Sequence, residues 1–149
     1  NKLGLPPTLA RSMRALGVDL GEKRIGIAVS DSNGKVATPL QVIIRSKSIK
    51  QDHKKICDLV DEWEADIVVV GMPYSLNGSK GLAAKTVEKE VKELSSALEV
   101  PVATQDERLT TVTAAKELAI QGLDSKKQRK VIDQVAASVI LQSWLDNRT

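Results

Sequence analysis

Five short apolar segments, and the kind of connection between them, constrain the fold of this chain more than any other feature. The first three are separated by the turn sequences "GEK" at 21–23 and "SNGK" at 32–35, and such short turns join antiparallel strands. The last two each follow a stretch with helical spacing of apolar residues, which indicates strand–helix–strand crossovers and parallel pairing. The predicted strands cover about 14–20, 24–30, 36–44, 66–72 and 101–105.

Four helices are predicted between and after these strands. The first covers about 48–64, with lysine and aspartate opposite its apolar side. That predicted apolar face consists of Ile49, Ile56, Leu59, Val60 and Trp63. The other helices are expected at about 81–98, 111–121 and 129–146. The resulting order, βββαβαβαα, predicts an α/β protein in which a five-stranded mixed sheet is flanked by helices.

The length of 149 residues predicts a single domain. Residues 1–13 contain Pro6 and Pro7 and are expected to form an irregular lead-in, which leaves 14–149 as the folded domain. No apolar run has the length of a transmembrane helix, and no secretory signal is evident. We therefore expect no membrane association and a reducing, cytoplasmic location.

The scarcity of histidine, cysteine and aromatic residues narrows the chemistry. His53 is the only histidine and Cys57 the only cysteine, which excludes an intrachain disulfide and a Cys/His metal cluster and argues against a histidine triad. Two Trp, one Tyr and no Phe argue against base stacking of the RRM or OB-fold type. Catalysis is therefore expected to depend on carboxylates. The net charge of +3 permits a polyanionic partner without requiring one.

The first carboxylate with a functional interpretation is Asp19, in the strand sequence "GVDLG". Strand alternation places Asp19 on the face opposite Val18 and Leu20, close to the strand end. An aspartate that accepts hydrogen bonds from the following turn is an equally good interpretation. The stretch is not a P-loop, because Ile27-Ala28 stands where Lys-Ser/Thr is required. It is similar to the phosphate turn of actin- and Hsp70-type ATPases, but one domain cannot supply their second nucleotide-binding half.

The second candidate acid is Asp106 or Glu107, in the segment "QDERLTT" that follows the last predicted strand. Asp106 and Glu107 are adjacent and point in opposite directions in an extended chain, so only one is expected to face a site. The density of charge directly after a buried strand favours a functional interpretation. A polar loop with Thr110 or Thr111 as a helix N-cap is the alternative.

The third candidate acid is Asp133, in "IDQVAASVILQSWL". This helix is apolar almost all round from Val135 to Leu145, which predicts deep burial. An acid on a buried helical face needs a cation or hydrogen-bond donors, and a favourable interaction with the helix dipole in a first turn is the alternative. Asp133 shares its face with Ala136, Ala137 and Ile140.

Asp19, Asp133 and one acid of the Asp106–Glu107 pair together form a set of hard oxygen ligands. Such a set favours Mg²⁺ or Mn²⁺ over zinc. Two such ions about 4 Å apart can activate water and stabilise the leaving oxygen in phosphodiester cleavage. The predicted catalytic residues and the predicted metal ligands are therefore the same three carboxylates.

Several basic residues could bind a nucleic-acid backbone close to these acids. Lys80 lies in the loop "GMPYSLNGSKG" at 71–81, which opens a predicted helix and could bind phosphate, and Arg24 and Arg108 follow two of the acids. A basic, turn-like stretch at 122–130 precedes Asp133 and contains Lys126, Lys127, Arg129 and Lys130. Such contacts are independent of base sequence and sensitive to salt, although a charge run is also typical of a solvated turn.

Four blocks of the sequence resemble, in order, the signature blocks of the YqgF/RuvX family. They are "GVDLGEKRIGIAVSD", "VVVGMPYSLNGSKG", "DERLTT" and "IDQVAASVILQSWLD", and the resemblance runs from about Leu16 to Asp146. The resemblance implies an RNase H-like fold and a divalent-metal site. The acid of the family's first strand matches Asp19, the acid of its D-E-R block matches Glu107, and the acid of its last helix matches Asp133. One departure is Val135, which stands where many members of the family carry histidine.

The resemblance implies a metal-dependent nuclease acting on structured RNA, with 5′-end processing of precursor 16S rRNA as the leading hypothesis. A Holliday-junction resolvase acting on four-way DNA is the first alternative. Symmetric resolution needs two active sites, so the oligomeric state, monomer or homodimer, bears on this choice. The alternative of another class is a non-catalytic protein that binds rRNA or a processing partner.

Overall fold

The computed structural model describes residues 13–75, 77–109 and 126–148. Within these ranges the chain forms five strands, three α-helices and one short 3₁₀ turn. In chain order they are β1 (Ala15–Leu20), β2 (Arg24–Ser30), β3 (Ala37–Ile44), α1 (Ile49–Glu62), β4 (Ile67–Met72), α2 (Leu82–Ala97), β5 (Val102–Asp106), the 3₁₀ turn (Glu107–Leu109) and α3 (Lys126–Asp146).

The strands form one mixed sheet in the order β3-β2-β1-β4-β5. The pairs β1–β2 and β2–β3 are antiparallel, whereas β1–β4 and β4–β5 are parallel. This confirms the mixed sheet expected from hairpins followed by crossovers, and each strand ends within one residue of its predicted bounds. The predicted helix at 111–121 and most of the predicted lead-in at 1–13 lie outside the described residues.

The two faces of the sheet carry different side chains, because residues alternate between faces along each strand. One face presents large aliphatic residues, such as Leu16, Val18 and Ile27, to α1 and α2. The other face presents Ala15, Ala28 and other small residues to α3. The protein is therefore a three-layer α/β/α arrangement, and α3 alone among the described helices covers the second face.

The first helix buries polar side chains that its sequence pattern placed in solvent. Ile49 was predicted on the apolar face but is 47% exposed, whereas Asp52 is 1% exposed. His53 is also buried, which agrees with a structural histidine. The prediction for Ile49 and Asp52 was wrong because Asp52 accepts hydrogen bonds from Ser46 and lies beside Arg45, contacts with the preceding loop that helical periodicity does not predict.

Two predictions for α3 also need correction. Val135 is 45% exposed, so the helix is buried on one side only and not all round. The described helix spans Lys126–Asp146, so the basic residues from 126 onward are helical and do not form a connecting turn. None of the helices in the described ranges is long and apolar enough to cross a membrane.

A polar network beneath the sheet joins β3, α1 and α2. Both terminal nitrogens of Arg45 donate to the carboxylate of Glu90, at 2.9 and 2.7 Å, and His53 Nε2 lies 2.8 Å from the same carboxylate. Arg45 Nε donates to the carbonyl oxygen of Gly21 at 2.7 Å. Asp52 Oδ1 accepts from the backbone N–H of Ser46 at 2.9 Å. The network therefore fixes the β1–β2 turn to both helices of this face.

This network should make the stability of the protein depend on pH. Burial of Glu90 opposes its ionisation, but hydrogen bonds from Arg45 and His53 outweigh that cost and hold the pKa of Glu90 below its ordinary value. A carboxyl whose pKa is lower in the folded state stabilises the protein above its unfolded-state pKa, about 4.3 for glutamate. That contribution is lost as pH falls through the lower, folded-state value.

We therefore expect Glu90→Gln to lower the free energy of unfolding at pH 7 by about 1–3 kcal/mol, the range for a hydrogen bond to a charged group that leaves buried partners unsatisfied. Urea unfolding at several pH values between 7 and 3 measures this, and the variant should lose less stability than the parent below about pH 4.3. Glu88→Gln, on the same helix but in a solvent-exposed ion pair, is the control. The prediction would be contradicted if the free energy of unfolding fell as much between pH 7 and 3 in Glu90→Gln as in the parent.

Candidate active site

Asp19 occupies a place on the sheet where both neighbouring strands carry glycine. Its partner across the β1–β2 ladder is Gly26. On the other side Val18 pairs with Val70, so the next step of the parallel register brings Gly71 beside Asp19. The Asp19 side chain is 2% exposed and lies on the face that α3 covers. Two flanking residues without side chains leave room for other groups to approach this carboxylate.

Asp133 reaches the site because α3 lies almost directly on Gly26. A methyl group added at Gly26 would overlap the backbone carbonyl oxygen of Asp133. The three residues predicted to share the face of Asp133 are indeed buried against the sheet, namely Ala136, Ala137 and Ile140. Because α3 begins at Lys126, Asp133 is two turns inside the helix, where the interaction with the helix dipole is weak.

Glu107 approaches Asp19 from the opposite side. A methyl group added at Gly71 would lie 3.0 Å from Glu107 Oε2 and 3.1 Å from its Cγ, so this side chain lies over Gly71. Glu107 is 2% exposed. The adjacent Asp106 points elsewhere and forms an ion pair with Arg108, with 2.6 Å between Oδ2 and Nη2. Only one member of this acidic pair therefore faces Asp19, as expected for neighbouring residues.

Gly26 and Gly71 thus bring two acids from distant segments to the two sides of Asp19. Clustered carboxylates in a partly buried place need a cation or hydrogen-bond donors to offset repulsion and desolvation. Their oxygen atoms are of the kind that Mg²⁺ and Mn²⁺ prefer. Across residues 13–75, 77–109 and 126–148, however, no three Asp, Glu, His or Cys side chains are gathered closely enough to hold a metal ion as they stand. The donor set and its glycine-lined surroundings fit such an ion, but side chains must move to bind it.

Three of the predicted phosphate-binding residues have side chains within the described part of the chain. Each of these three side chains is paired with a carboxylate. Arg24 Nη1 lies 3.8 Å from Asp133 Oδ2. Lys80 Nζ lies 2.5 Å from Glu88 Oε2 in an exposed pair. Arg108 pairs with Asp106. The prediction treated these cations as ready phosphate ligands, whereas phosphate would have to compete with a carboxylate for each of them.

Arg108 is held most firmly of the three. Its Nε donates to both oxygens of Asp106, at 3.1 and 3.0 Å, and its guanidinium lies 5.8 Å from the centre of the Tyr74 ring. A methyl group added at Gly78 would lie 3.2 Å from Arg108 Nη1. Hydrogen bonds from Arg108 hold the pKa of Asp106 below its ordinary value. The guanidinium therefore connects the 3₁₀ turn to the loop that follows β4.

Comparison with known proteins identifies the family of this chain. The model of the RuvX family, described as Holliday junction resolvase, matches residues 13–147. The chain belongs to the RuvX family. A relative from Rhodococcus opacus is 46% identical over 140 residues, covering 91% of this chain and 79% of its own length. A second, from Crocosphaera subtropica, is 46% identical over 134 residues, covering 90% of this chain and 93% of its own. Both carry the name "Putative pre-16S rRNA nuclease".

Solved structures give the fold of this RuvX-family chain. Thermus thermophilus RuvC matches with a TM-score of 0.55 and 18% identity, covering 91% of this chain and 96% of that one. The same protein in complex with a Holliday junction substrate matches with a TM-score of 0.55 and 17% identity, covering 91% and 95%. This likeness confirms the RNase H-like fold. The family description and the names of the relatives confirm the prediction of a nuclease at the level of the family.

The sequence did not indicate which residues position the acids and the arginines of the site in this RuvX-family protein. Gly26 and Gly71 matter because of strand register, which the sequence pattern alone does not fix. Tyr74 and Asp106 hold Arg108, and the Asp106–Arg108 spacing of two residues was the one signal that could have indicated this pair. The basic residues Lys126, Lys127, Arg129 and Lys130 belong to α3 by their backbone, and their side chains lie outside the described part.

Gly26 should be the least replaceable glycine of the site. The methyl group of Gly26→Ala would collide with backbone of α3, and we expect a loss of about 1–3 kcal/mol in the free energy of unfolding, as for overpacked cores. Urea unfolding measures this loss, and calorimetry with Mn²⁺ should show weaker binding because Asp133 is displaced. Gly81→Ala is the matched control, since its methyl group meets only the Ser75 hydroxyl. Equal effects of the two substitutions would contradict this role of Gly26.

Proposed function

We propose that this protein is a metal-dependent nuclease that cleaves phosphodiester bonds of structured RNA, with the 5′ end of precursor 16S rRNA as its substrate. The observation that carries this proposal is that Glu107 lies over Gly71 and the backbone of Asp133 lies over Gly26, the two glycines that flank Asp19. The names of relatives that are 46% identical over most of the chain support the choice of substrate. Such an enzyme would work in the cytoplasm.

Asp19, Glu107 and Asp133 are the residues that would hold Mg²⁺ or Mn²⁺. A divalent ion bound there would supply activation of water and neutralisation of the charge that develops on the phosphate. The rigid position of Asp19 within β1, between two paired strands, would fix one ligand. Glu107 and Asp133 would adjust around it, since one begins a short 3₁₀ turn and the other faces Arg24.

The paired arginines would orient the substrate. Arg24 adjoins Asp133 at one side of the site, and Arg108 lies at the other side, beside the loop that follows β4. A guanidinium binds phosphate oxygens in the same two-pronged geometry as a carboxylate. Phosphates could therefore replace Asp133 or Asp106 as partners, while Lys80 would contribute a more exposed and weaker contact.

Asp19→Asn tests the catalytic assignment. We expect metal-dependent cleavage of precursor 16S rRNA to fall by more than about 100-fold, beyond the 10–100-fold typical of residues that only orient a metal ligand. Mn²⁺ binding measured by calorimetry should weaken as well.

Asp58→Asn is the matched control for this test, since it neutralises an exposed aspartate of α1 that pairs with Lys54 across the helix surface. It should cleave as the parent does. Intact metal-dependent cleavage by Asp19→Asn would show that the assignment is wrong. A parent protein that binds RNA but does not bind Mn²⁺ would favour the non-catalytic alternative.

The basic start of α3 is proposed to bind the nucleic-acid backbone. We expect a variant with four glutamine substitutions to bind RNA with a weaker dependence on salt. The substituted residues are Lys126, Lys127, Arg129 and Lys130. The slope of log K against log salt should fall by about 0.7–0.9 for each phosphate that the variant no longer neutralises. Fluorescence anisotropy without divalent ions measures this slope.

A second fourfold variant controls for the removal of charge. The control carries glutamine at four exposed lysines at or beside α1, across the sheet from α3, and so removes the same number of charges. These lysines are Lys47, Lys50, Lys54 and Lys55. This variant should keep the parental slope. If both fourfold variants reduce the slope equally, the interaction is diffuse and the proposed role of the α3 residues is wrong.

The description of the family as Holliday junction resolvase favours a second candidate, cleavage of four-way DNA. Symmetric resolution requires two active sites and hence a homodimer. Sedimentation analysis together with parallel cleavage assays on precursor rRNA and on a four-way junction separates the two candidates. Junction cleavage by a dimer, without RNA cleavage, would favour the resolvase.

A further inference from the structure

Arg24 and Asp133 form an ion pair that differs in kind from the other arginine pairs of the site region. Their charged atoms are 3.8 Å apart, and the side chains are 19% and 22% exposed. This separation exceeds the 2.7–3.2 Å of a hydrogen bond, whereas Arg108 and Asp106 approach to 2.6 Å. The Arg24–Asp133 contact is thus a charge attraction that solvent can reach and that a stronger partner can replace.

The position of Arg24 places this attraction inside the candidate site. Arg24 stands two residues before Gly26 on β2, so both lie on the face that α3 covers. Asp133 lies directly above Gly26, and Asp19 pairs with Gly26. A guanidinium at this point is next to the place where a cation bound by Asp19 and Asp133 would lie.

A guanidinium and a divalent cation compete for the carboxylate of Asp133, because both need its negative charge and repel each other at short range. Binding of the ion should therefore weaken the attraction between Arg24 and Asp133. The guanidinium can then take a phosphate of the substrate, for which it has suitable geometry. Conversely, a phosphate that attracts Arg24 leaves Asp133 better able to bind the ion.

We propose that Arg24 exchanges its partner between Asp133 and a substrate phosphate, and that this exchange couples cation binding to nucleic-acid binding. The inference rests on the proposed function, in which Asp133 is a metal ligand. Coupling between two ligands is reciprocal, so Mn²⁺ should raise the affinity for RNA by the same factor by which RNA raises the affinity for Mn²⁺.

Calorimetry with Mn²⁺ alone is the first test. Arg24→Gln removes the competitor, and we expect it to bind Mn²⁺ up to about fivefold more tightly than the parent, as for removal of a solvent-accessible ion pair. Arg24→Lys keeps the positive charge and should bind Mn²⁺ less tightly than Arg24→Gln does, which also guards against a folding defect in Arg24→Gln. Lys23→Gln removes the same charge from the adjacent, exposed residue and should likewise match the parent.

Binding of an RNA hairpin with and without Mn²⁺ is the second test, with the hairpin checked for cleavage by gel after each titration. The parent and Lys23→Gln should bind the hairpin more tightly with Mn²⁺ than without it. In Arg24→Gln, the affinity for the hairpin should be about the same with and without Mn²⁺. The inference is overturned if Arg24→Gln and Lys23→Gln behave alike in either test. Its failure is distinct from failure of the proposed function, which is indicated when the parent neither binds Mn²⁺ nor cleaves RNA.

Discussion

The close packing of α3 on β1 and β2 is the constraint on which the candidate site depends. A methyl group at Gly17 would lie 2.8 Å from Leu141 Cβ, and one at Gly26 would overlap backbone of Asp133. Only hydrogen atoms at these positions allow the helix to lie so near the sheet. The same contact therefore buries the apolar side of α3 and sets the height of Asp133 above Asp19, so that stability and site geometry have one origin.

The opposite face of the sheet fixes the strand end from which Asp19 projects. Large aliphatic side chains hold β1 against α1 and α2, and Arg45 donates to the carbonyl oxygen of Gly21 just beyond the strand. The Gly21 N–H in turn donates to the carbonyl oxygen of Asp19 at 3.0 Å. Asp19 is thus the rigid member of the acidic set, and Glu107 and Asp133 are the members that a bound ion would have to draw in.

Most of the fold could be predicted because strand and helix periods depend on local sequence, and the turn at Asn33-Gly34 and the buried run of β4 leave few alternatives. Two of the three acids could be selected for the same reason: alternation placed Asp19 opposite Val18, and helical spacing placed Asp133 with Ala137. Pattern left Asp106 and Glu107 as alternatives for the third acid, and the resemblance of the D-E-R block indicated Glu107. Burial of Asp52 could not be predicted from helical periodicity, because it follows from hydrogen bonds with Ser46 and from the nearby Arg45, which lie in the loop before the helix. The roles of the three acids as ligands remain a prediction.

The distribution of charge changes how nucleic-acid binding should be understood. A net charge of +3 does not mean three free cations at the site, since Arg24, Lys80 and Arg108 each face a carboxylate. A phosphate that displaces such a carboxylate forms one ion pair and breaks another. The gain in free energy must then come from counterions released by the nucleic acid and, under the proposed role of Asp133, from the ion that this one carboxylate can then bind. Under the proposed exchange at Arg24 and Asp133, the presence of substrate and of metal would each favour binding of the other, whereas removal of the guanidinium would favour the metal and abolish this coupling.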